Sequence, residues 1–510
     1  MNFAEYLLED ASGSDEAVLD AQGSGNYTEL RTLVAQQCAA LGALGLSPGS
    51  PVAIVGPNGL GWVAAYLAVL ASGMVAVPVP STLTSAEVTA RLAWIRASAA
   101  FLGDRESRQL SSLSGSVLPL RIDPNRLDAP PDLRFADVAA DCDAVYAFTS
   151  GTTGQPRAVR HTHANLRANT ESILQYLELT SAERVLVVLP FSYVFGASIL
   201  HTHLRVGATL VIQQNTAFPQ SIVERLTSEH CTGFAGVPST FHVLLRNSTF
   251  ARRLLPDLRT IQQAGGKLAP VLLRELVAAQ PQARVFVMYG QTEATARLSY
   301  LPPRDLEAKL GSIGRGIPGV SLRVVDPAGE SVAPGEVGEI WARGRNISPG
   351  YLDDPAESGR RMPQGELHTG DLATVDSDGY IFIVDRQEDF IKTWGFRVAS
   401  QDVESAAIHL PDLVAVAAVG VPDDAAGERI ELVAVMRSGA SLTAEDVIRH
   451  CQAVLSKHMV PARVRFVSRL PLNANGKVAK AEVRTFCLRR EEDAGQSGAM
   501  ATGVDVGSQR

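Results

Sequence analysis

The sequence is poor in the groupings that announce a metal centre or a disulfide framework. Its five cysteines (Cys38, Cys142, Cys231, Cys451 and Cys487) are scattered and odd in number, and none stands in a C-x-x-C or similar cluster. Reduced thiols in a cytoplasmic protein are therefore expected. The ten histidines include His161 and His163, but no H-E-x-x-H or carboxylate-linked set accompanies them, so a structural metal is not expected. No basic block interrupts a net charge of −8, which argues against a nucleic-acid partner. Long hydrophobic runs are absent as well. The longest, from Trp62 to Pro80, is broken by Ser72 and Gly73 and reads as a buried helix followed by a strand, not as a membrane span. Glu5, Glu9 and Asp10 stand where a secretory leader would carry bases, so a cytoplasmic location without integral membrane contact is expected. No internal repeat is visible.

What is present is a chain of 510 residues, 46% hydrophobic and 20% charged, which suits a soluble globular protein of two or more domains. Apolar spacing predicts a helix over Tyr27 to Leu46, a strand over Pro51–Val55, a helix over Trp62 to Ser72 and a strand over Met74 to Val79. This alternation signals parallel α/β layers. It recurs at Arg184–Leu189, Ser198–Leu204 and Thr209–Ile212. It recurs again at Gly233–Val237, a helix from Ser239, Thr260–Gln263, Val271–Ala279 and Val285–Met288. After Gly311 come short, glycine-punctuated β segments: Ser321–Val325, Glu339–Ala342, Ala373–Val375 and Tyr380–Val384. The expected fold class is α/β: a large domain over residues 1–385 with a β-rich subdomain, a charged hinge over 386–389, and a small mobile α+β domain over 390–490. In that last domain strands are expected at Val414–Val419 and Glu431–Val435, with a helix opened by the capping box Thr443–Asp446. Residues 491–510 are expected to be disordered.

Five segments carry candidate chemistry. Tyr146-Ala-Phe-Thr-Ser-Gly-Thr-Thr-Gly-Gln-Pro-Arg157 follows a strand-like run and offers hydroxyls from Thr149, Ser150, Thr152 and Thr153. Gly151 and Gly154 let its backbone approach a ligand, and Arg157 adds a charge suited to phosphate. Its glycine spacing is not that of G-x-x-x-x-G-K-[ST]. Tyr289-Gly-Gln-Thr-Glu293 follows the strand Val285–Met288, at the sheet edge where doubly wound folds bind ligands. Its aromatic suits a base, its threonine phosphate, its glutamate Mg²⁺. Leu367-His-Thr-Gly-Asp371 sets a carboxylate after a tight turn, with acceptor oxygens that two ribose hydroxyls need. Asp385-Arg386 through Lys392-Thr-Trp-Gly-Phe-Arg397 suits a loop that closes over an anion. Pro471-Leu-Asn-Ala-Asn-Gly476-Lys477 presents a lysine on a polar loop. Each has a plain structural reading when taken singly: a surface turn, a capping threonine, a turn aspartate, a charged strand pair, a solvated lysine.

In this order, from about Tyr27 to Lys480, the segments resemble those of the adenylate-forming superfamily of acyl-CoA synthetases, luciferases and peptide-synthetase adenylation domains. Leu70–Pro78, Gly265-Gly266 and Gly338–Tyr351 strengthen the resemblance. It implies that ATP and a carboxylic acid give an acyl-adenylate and pyrophosphate, after which the acyl group passes to a thiol. It implies that Thr149, Ser150, Gly151, Thr152, Thr153, Gly154 and Arg157 grip the β- and γ-phosphates. Thr292 would contact the α-phosphate and Glu293 the Mg²⁺. Tyr289, Gly290, Gln291, Gly265 and Gly266 would flank adenine, and Asp371 and Arg386 would hold the ribose. Lys477 would serve adenylation. After a hinge near Glu388 swings, Lys392, Thr393, Trp394 and Gly395 would move toward the thiol's tunnel, and Arg397 joins Lys392 among the expected catalytic residues.

Several positions depart from the family pattern. Arg157-Ala158 replaces Lys-Gly, Asp385 replaces a glycine, and Trp394 is large for a residue lining the thiol path. In Pro190-Phe-Ser-Tyr-Val-Phe-Gly196, Tyr193 stands where acyl- and aryl-CoA synthetases often have histidine. Substrate choice is expected in Phe191, Tyr193, Val194, Phe195 and Gly196, in Phe234, Gly236 and Val237, and near Gln263 to Gly266. No aspartate there pairs with an α-amino group, so an apolar carboxylic acid is favoured over an amino acid. The leading expectation is an acyl-CoA synthetase using ATP, Mg²⁺ and coenzyme A. The alternatives are an enzyme loading a carrier protein's phosphopantetheine arm in trans, and a non-catalytic nucleotide-binding regulator.

Overall fold

A computed structural model describes residues 1–110, 117–122, 132–149, 157–386, 390–423, 425–437, 439–473 and 477–499. The pyrophosphate-loop residues Ser150, Gly151, Thr152, Thr153 and Gly154 lie outside the described residues. So do Glu388 and Gly476, while Arg386 is described in its backbone only. The chain divides into two compact units, Met1–Ile383 and Val384–Arg510.

The first unit is built on three sheets. The largest runs in the order Arg315–Gly316, Ser299–Leu301, Arg284–Tyr289, Thr260–Gln263, Gly233–Gly236, Arg184–Val187, Thr209–Ile212, Glu16–Asp20, Gly23–Asn26. From Arg284–Tyr289 to Glu16–Asp20 the neighbours are parallel; the outer strands are antiparallel. A second sheet orders Leu118–Arg121, Ala99–Leu102, Pro51–Val55, Val75–Val79, Asp143–Thr149 and Arg157–Thr162. The helix Leu60–Ala71 is apolar on every side, and Gly61 through Ala71 are all buried, as a helix within the core must be. It shares one core cluster with side chains from both sheets.

The third sheet orders Val320–Val325, Gly338–Gly344, Glu366–Val375 and Ile381–Arg386. Here two expectations are corrected. Leu367–Asp371, expected to set its carboxylate after a tight turn, lies within the ten-residue strand Glu366–Val375. Arg386, expected to open the hinge, ends the edge strand Ile381–Arg386, where charged residues are well tolerated.

The second unit has a sheet in the order Phe396–Val398, Ile391–Thr393, Gly427–Met436, Leu413–Asp423, with Arg463–Phe466 parallel to Gly427–Met436. Thr443 and Asp446 form the expected reciprocal cap of the helix Ala444–Val454. The last helix, Lys480–Ala499, enters the stretch expected to be disordered, where Glu491, Glu492, Ala494, Gln496 and Ala499 favour helix. No helix among the described residues is long and apolar enough to cross a membrane.

Candidate active site

Tyr289 ends a parallel strand of the large sheet, so Gly290–Glu293 emerge at its carboxyl edge. Gly290 has no room for a side chain: a Cβ there would lie 1.8 Å from the carbonyl oxygen of Ala296. Thr292–Ala294 form one 3₁₀ turn, ended by Thr295 at φ 65°. That conformation is unfavourable for a β-branched residue and persists only if its surroundings impose it. They do. Thr295 Oγ1 donates to Asn346 O at 2.7 Å, and Asn346 Nδ2 donates to Ala294 O at 3.2 Å. His161 Nε2 donates to Thr292 O at 2.7 Å. Burial pushes the His161 pKa down to about 4, so its ring is neutral at neutral pH. Glu293 is half-buried and receives the Tyr351 hydroxyl at 2.8 Å on Oε1. Burial first, then the neighbouring Glu293, raise the Tyr351 pKa, which keeps that hydroxyl a donor.

Asp371 reaches the same place from the third sheet through a bulge. Glu339 pairs with Leu372 and Trp341 with His368, so Thr369, Gly370 and Asp371 face Ile340 alone. Gly370 takes φ 71°, and Arg361 Nη2 binds Thr369 O at 2.9 Å. The bulge aims the Asp371 carboxylate, only 3% exposed, at the first segment. Its Oδ2 accepts from the Tyr289 hydroxyl at 2.5 Å and from Gln291 Nε2 at 2.6 Å. Gln291 Nε2 also donates to Thr369 O at 3.0 Å. Tyr289, Gln291 and Asp371 therefore belong to one hydrogen-bonded cluster, and Glu293 follows two residues after Gln291, bonded to Tyr351.

On the second sheet Thr149 pairs with Arg157, antiparallel. Arg157 is held by carboxylates, 3.6 Å from Asp354 and 3.5 Å from Glu357, with its guanidinium over the Tyr351 ring at 5.6 Å. Gly265 and Gly266 follow the strand Thr260–Gln263; Gly265 has φ 88°, and Gln263 Nε2 donates to Gly266 O at 2.8 Å.

A narrow cleft lies beside the turn that ends at Thr295. Its walls include Phe191, Val194, His161, His201, Thr295 and Ala296. The other expected acid-binding residues do not line it. Phe195 lies against Arg297, and Tyr193 is edge-on to Phe195. Gly196 closes the first turn of the helix Val194–Arg205, where a Cβ would meet Pro190 O at 2.1 Å. Phe234 is fully buried against Phe241, Gly236 packs on Thr240 and Phe241, and Val237 belongs to the central core. Sequence reasoning does not pick out His161 or Tyr351, which bond Thr292 and Glu293. The sequence offers His161 only as a candidate metal ligand and Tyr351 only as part of a motif.

In the second unit Lys392 and Arg397 are directly paired across the hairpin Ile391–Val398, both exposed. Like charges opposite each other weaken a hairpin unless an anion joins them. Its two-residue turn is Trp394-Gly395, with φ 52° and 77°. The tight turn needs positive φ, yet Trp394 is a costly residue there and is 62% exposed. The Lys477 N–H donates to Asn473 Oδ1 at 3.1 Å.

Comparison with known proteins covers most of the chain. Residues 9–352 match the family model described as AMP-binding enzyme, and residues 402–477 match the AMP-binding enzyme C-terminal domain. A feruloyl-CoA synthase from an Amycolatopsis species is 33% identical over 466 residues, covering 90% of this chain and 93% of that protein. A long-chain-fatty-acid–CoA ligase of Salmonella typhimurium is 30% identical over 488 residues, covering 86% of each. Among solved structures, ATP-bound MatB from Rhodopseudomonas palustris superposes with a TM-score of 0.86 at 26% identity, covering 95% of this chain and 98% of that one.

Proposed function

The chain belongs to the AMP-binding enzyme family, and from that premise we propose that it is an AMP-forming acid–thiol ligase of the acyl-CoA synthetase type. The observation that carries this reading is the convergence of Tyr289, Thr292, Glu293 and Asp371 from two sheets onto one strand edge. A carboxylate is a poor electrophile, and coupling it to a phosphate supplies a leaving group. In the first step the acid's oxygen forms a bond to the α-phosphorus of ATP while the bond to the β-phosphate oxygen breaks and pyrophosphate departs. In the second, a thiol sulfur bonds the acyl carbon, its proton is lost and AMP leaves.

Positioning and charge neutralisation do most of the work in such reactions. We assign Thr292 to the α-phosphate, Tyr289 with Gly265 and Gly266 to adenine, and Asp371 with Arg386 to the ribose. Thr149, Arg157 and the loop 150–154 are assigned to the β- and γ-phosphates. His161 supports Thr292 by fixing its carbonyl. Glu293 fits a Mg²⁺ contact: it is a half-buried carboxylate, and Mg²⁺ is commonly held by one or two carboxylates plus phosphate oxygens. Bound there, the ion would supply neutralisation of phosphate charge. Lys477 is assigned to adenylation, and Lys392 and Arg397 to the thiol step. Both curated relatives named above form CoA thioesters by name, which favours coenzyme A over a carrier protein as acceptor.

The test is product analysis with ATP, coenzyme A and a panel of alkyl and aryl acids. Acid-dependent AMP together with an acyl-CoA supports the proposal. ADP and phosphate, or no acid-dependent AMP with any member, overturns it.

A further inference from the structure

The cleft beside the proposed α-phosphate contact holds a hydrogen bond that leaves one hydrogen over. Thr295 and Ala296 line this cleft directly after the turn Thr292–Ala294, and His161, which bonds Thr292 O, lines it too. Val194, Ala197, Ser198 and His201 form its helical wall, one stripe along two turns, roughly 10 Å, of the helix Val194–Arg205. Among the described residues no Asp, Glu, Lys or Arg lines it. Burial, then the neighbouring His161, holds the His201 pKa down to about 3, so both histidines of the wall are neutral at neutral pH.

Ser198 and Thr295 spend their hydroxyl hydrogens on Phe195 O and Asn346 O, both at 2.7 Å, and His161 spends its one N–H on Thr292 O. The pair Tyr66 and His201, which also lines the cleft, is different. Tyr66 Oη and His201 Nε2 lie 2.8 Å apart, and neither side chain makes another hydrogen bond among the described residues. Ring contacts fix both groups: Tyr66 stacks on Trp62 at 5.5 Å and on His201 at 5.6 Å, and Phe3 stands edge-on to His201 at 5.0 Å. A phenol and a neutral imidazole bring two hydrogens to one bond. If the hydroxyl donates, the imidazole proton sits on Nδ1 and is left over. If Nε2–H donates, the hydroxyl hydrogen is left over. Either way one buried donor lacks an acceptor, a cost that a bound oxygen removes.

Resting on the acid-activating function proposed above, we infer that the Tyr66–His201 pair gives its remaining hydrogen to an uncharged oxygen on the acid's chain. The substrate class is an apolar acid carrying a hydroxyl, ether or keto oxygen apart from its carboxylate. The reacting carboxylate must meet the phosphate assigned to Thr292, so the adjoining cleft is the space its chain enters. A plain hydrocarbon chain leaves the donor unmet. A second carboxylate buries a charge with no cation on the wall to pair it.

The experiment measures acid-dependent AMP release by wild type and by the double variant Tyr66→Phe with His201→Leu. The acids share one chain length: an unsubstituted monocarboxylic acid, keto acids with the carbonyl at successive positions, and the α,ω-dicarboxylic acid. A ketone only accepts, so it reads the donor alone. Wild type is expected to prefer at least one keto acid to the plain acid by roughly 10- to 100-fold in kcat/KM, and the plain acid to the dicarboxylic acid. The double variant is expected to lose the keto preference, a ratio that a merely structural role for the pair does not move. Infrared spectra of the preferred keto acid bound to wild type need no substitution, and the ketone stretch is expected below its position in hydrocarbon solvent. If thermal melting shows the double variant unfolded, that spectrum decides. A plain or dicarboxylic acid preferred by wild type, a keto preference kept by a folded double variant, or an unshifted stretch overturns this inference while acid activation stands. No acid-dependent AMP from any of these acids overturns the functional reading and this inference with it.

Discussion

The hydroxyl of Tyr289 donates to Asp371 Oδ2 at 2.5 Å, and this bond ties the end of a parallel strand to a bulge in another sheet. Each residue holds the other in the orientation that the proposed nucleotide site requires. Tyr289→Phe leaves a buried carboxylate one donor short, at an expected cost of about 1–3 kcal/mol in urea denaturation. Asp371→Asn is expected to raise KM for ATP by roughly 10- to 100-fold, the worth of bonds to a charged group, with little change in KM for the acid. Equal effects on both substrates would remove Asp371 from the nucleotide site.

Acid sensitivity is written into four buried histidines. Burial lowers the pKa of His161, His163 and His203 to about 4 and that of His201 to about 3. Each is neutral when folded and takes up a proton near its ordinary value when unfolded. The unfolded chain therefore binds more protons between the two values, and stability rises with pH across that window. It is fully present above about pH 6.5 and is lost as pH falls toward 4. Melting temperature measured from pH 7.5 down to 5 is expected to fall steadily. His203→Gln, which keeps a donor for Ile199 O, is expected to make that fall shallower.

The second unit contains a carboxylate with no exposure at all, Glu431, set 2.9 Å from Arg429 and 2.7 Å from Arg465. Burial opposes its ionisation, but Arg465 and Arg429 outweigh burial and hold its pKa below the usual carboxylate range. The stability it contributes is present above the unfolded carboxylate value and is lost as pH falls through the folded one. Glu431→Gln leaves two partly buried arginines facing a neutral group. The expected cost is about 3–5 kcal/mol, read as loss of cooperative unfolding of strand Gly427–Met436 in hydrogen exchange. A variant as protected as wild type would contradict this.

Local patterns made much of the molecule legible in advance. Thr443–Asp446 capped its helix as its spacing implied, and Pro51–Val55, Thr209–Ile212 and Thr260–Gln263 were bounded to the residue. Those elements declare themselves through contiguous apolar runs and turn residues. Asp371 did not, because its placement comes from a bulge whose existence depends on the partner strand Gly338–Gly344. His161 and Tyr351 were missed for a related reason. Their roles rest on hydrogen bonds spanning 131 and 58 residues, to Thr292 and Glu293, and no periodicity within either segment encodes such a partner. Phe234 looked like a pocket residue because apolar character serves a core and a binding site equally.

The most direct test of the account is pyrophosphate exchange into ATP, driven by a carboxylic acid in the absence of coenzyme A, with wild type beside Lys477→Ala. The account predicts acid-dependent exchange by wild type and its loss in the variant. It also predicts that the variant still converts supplied acyl-adenylate and coenzyme A to thioester. Exchange by wild type with no acid of the panel, or equal loss of both half-reactions in the variant, would contradict it.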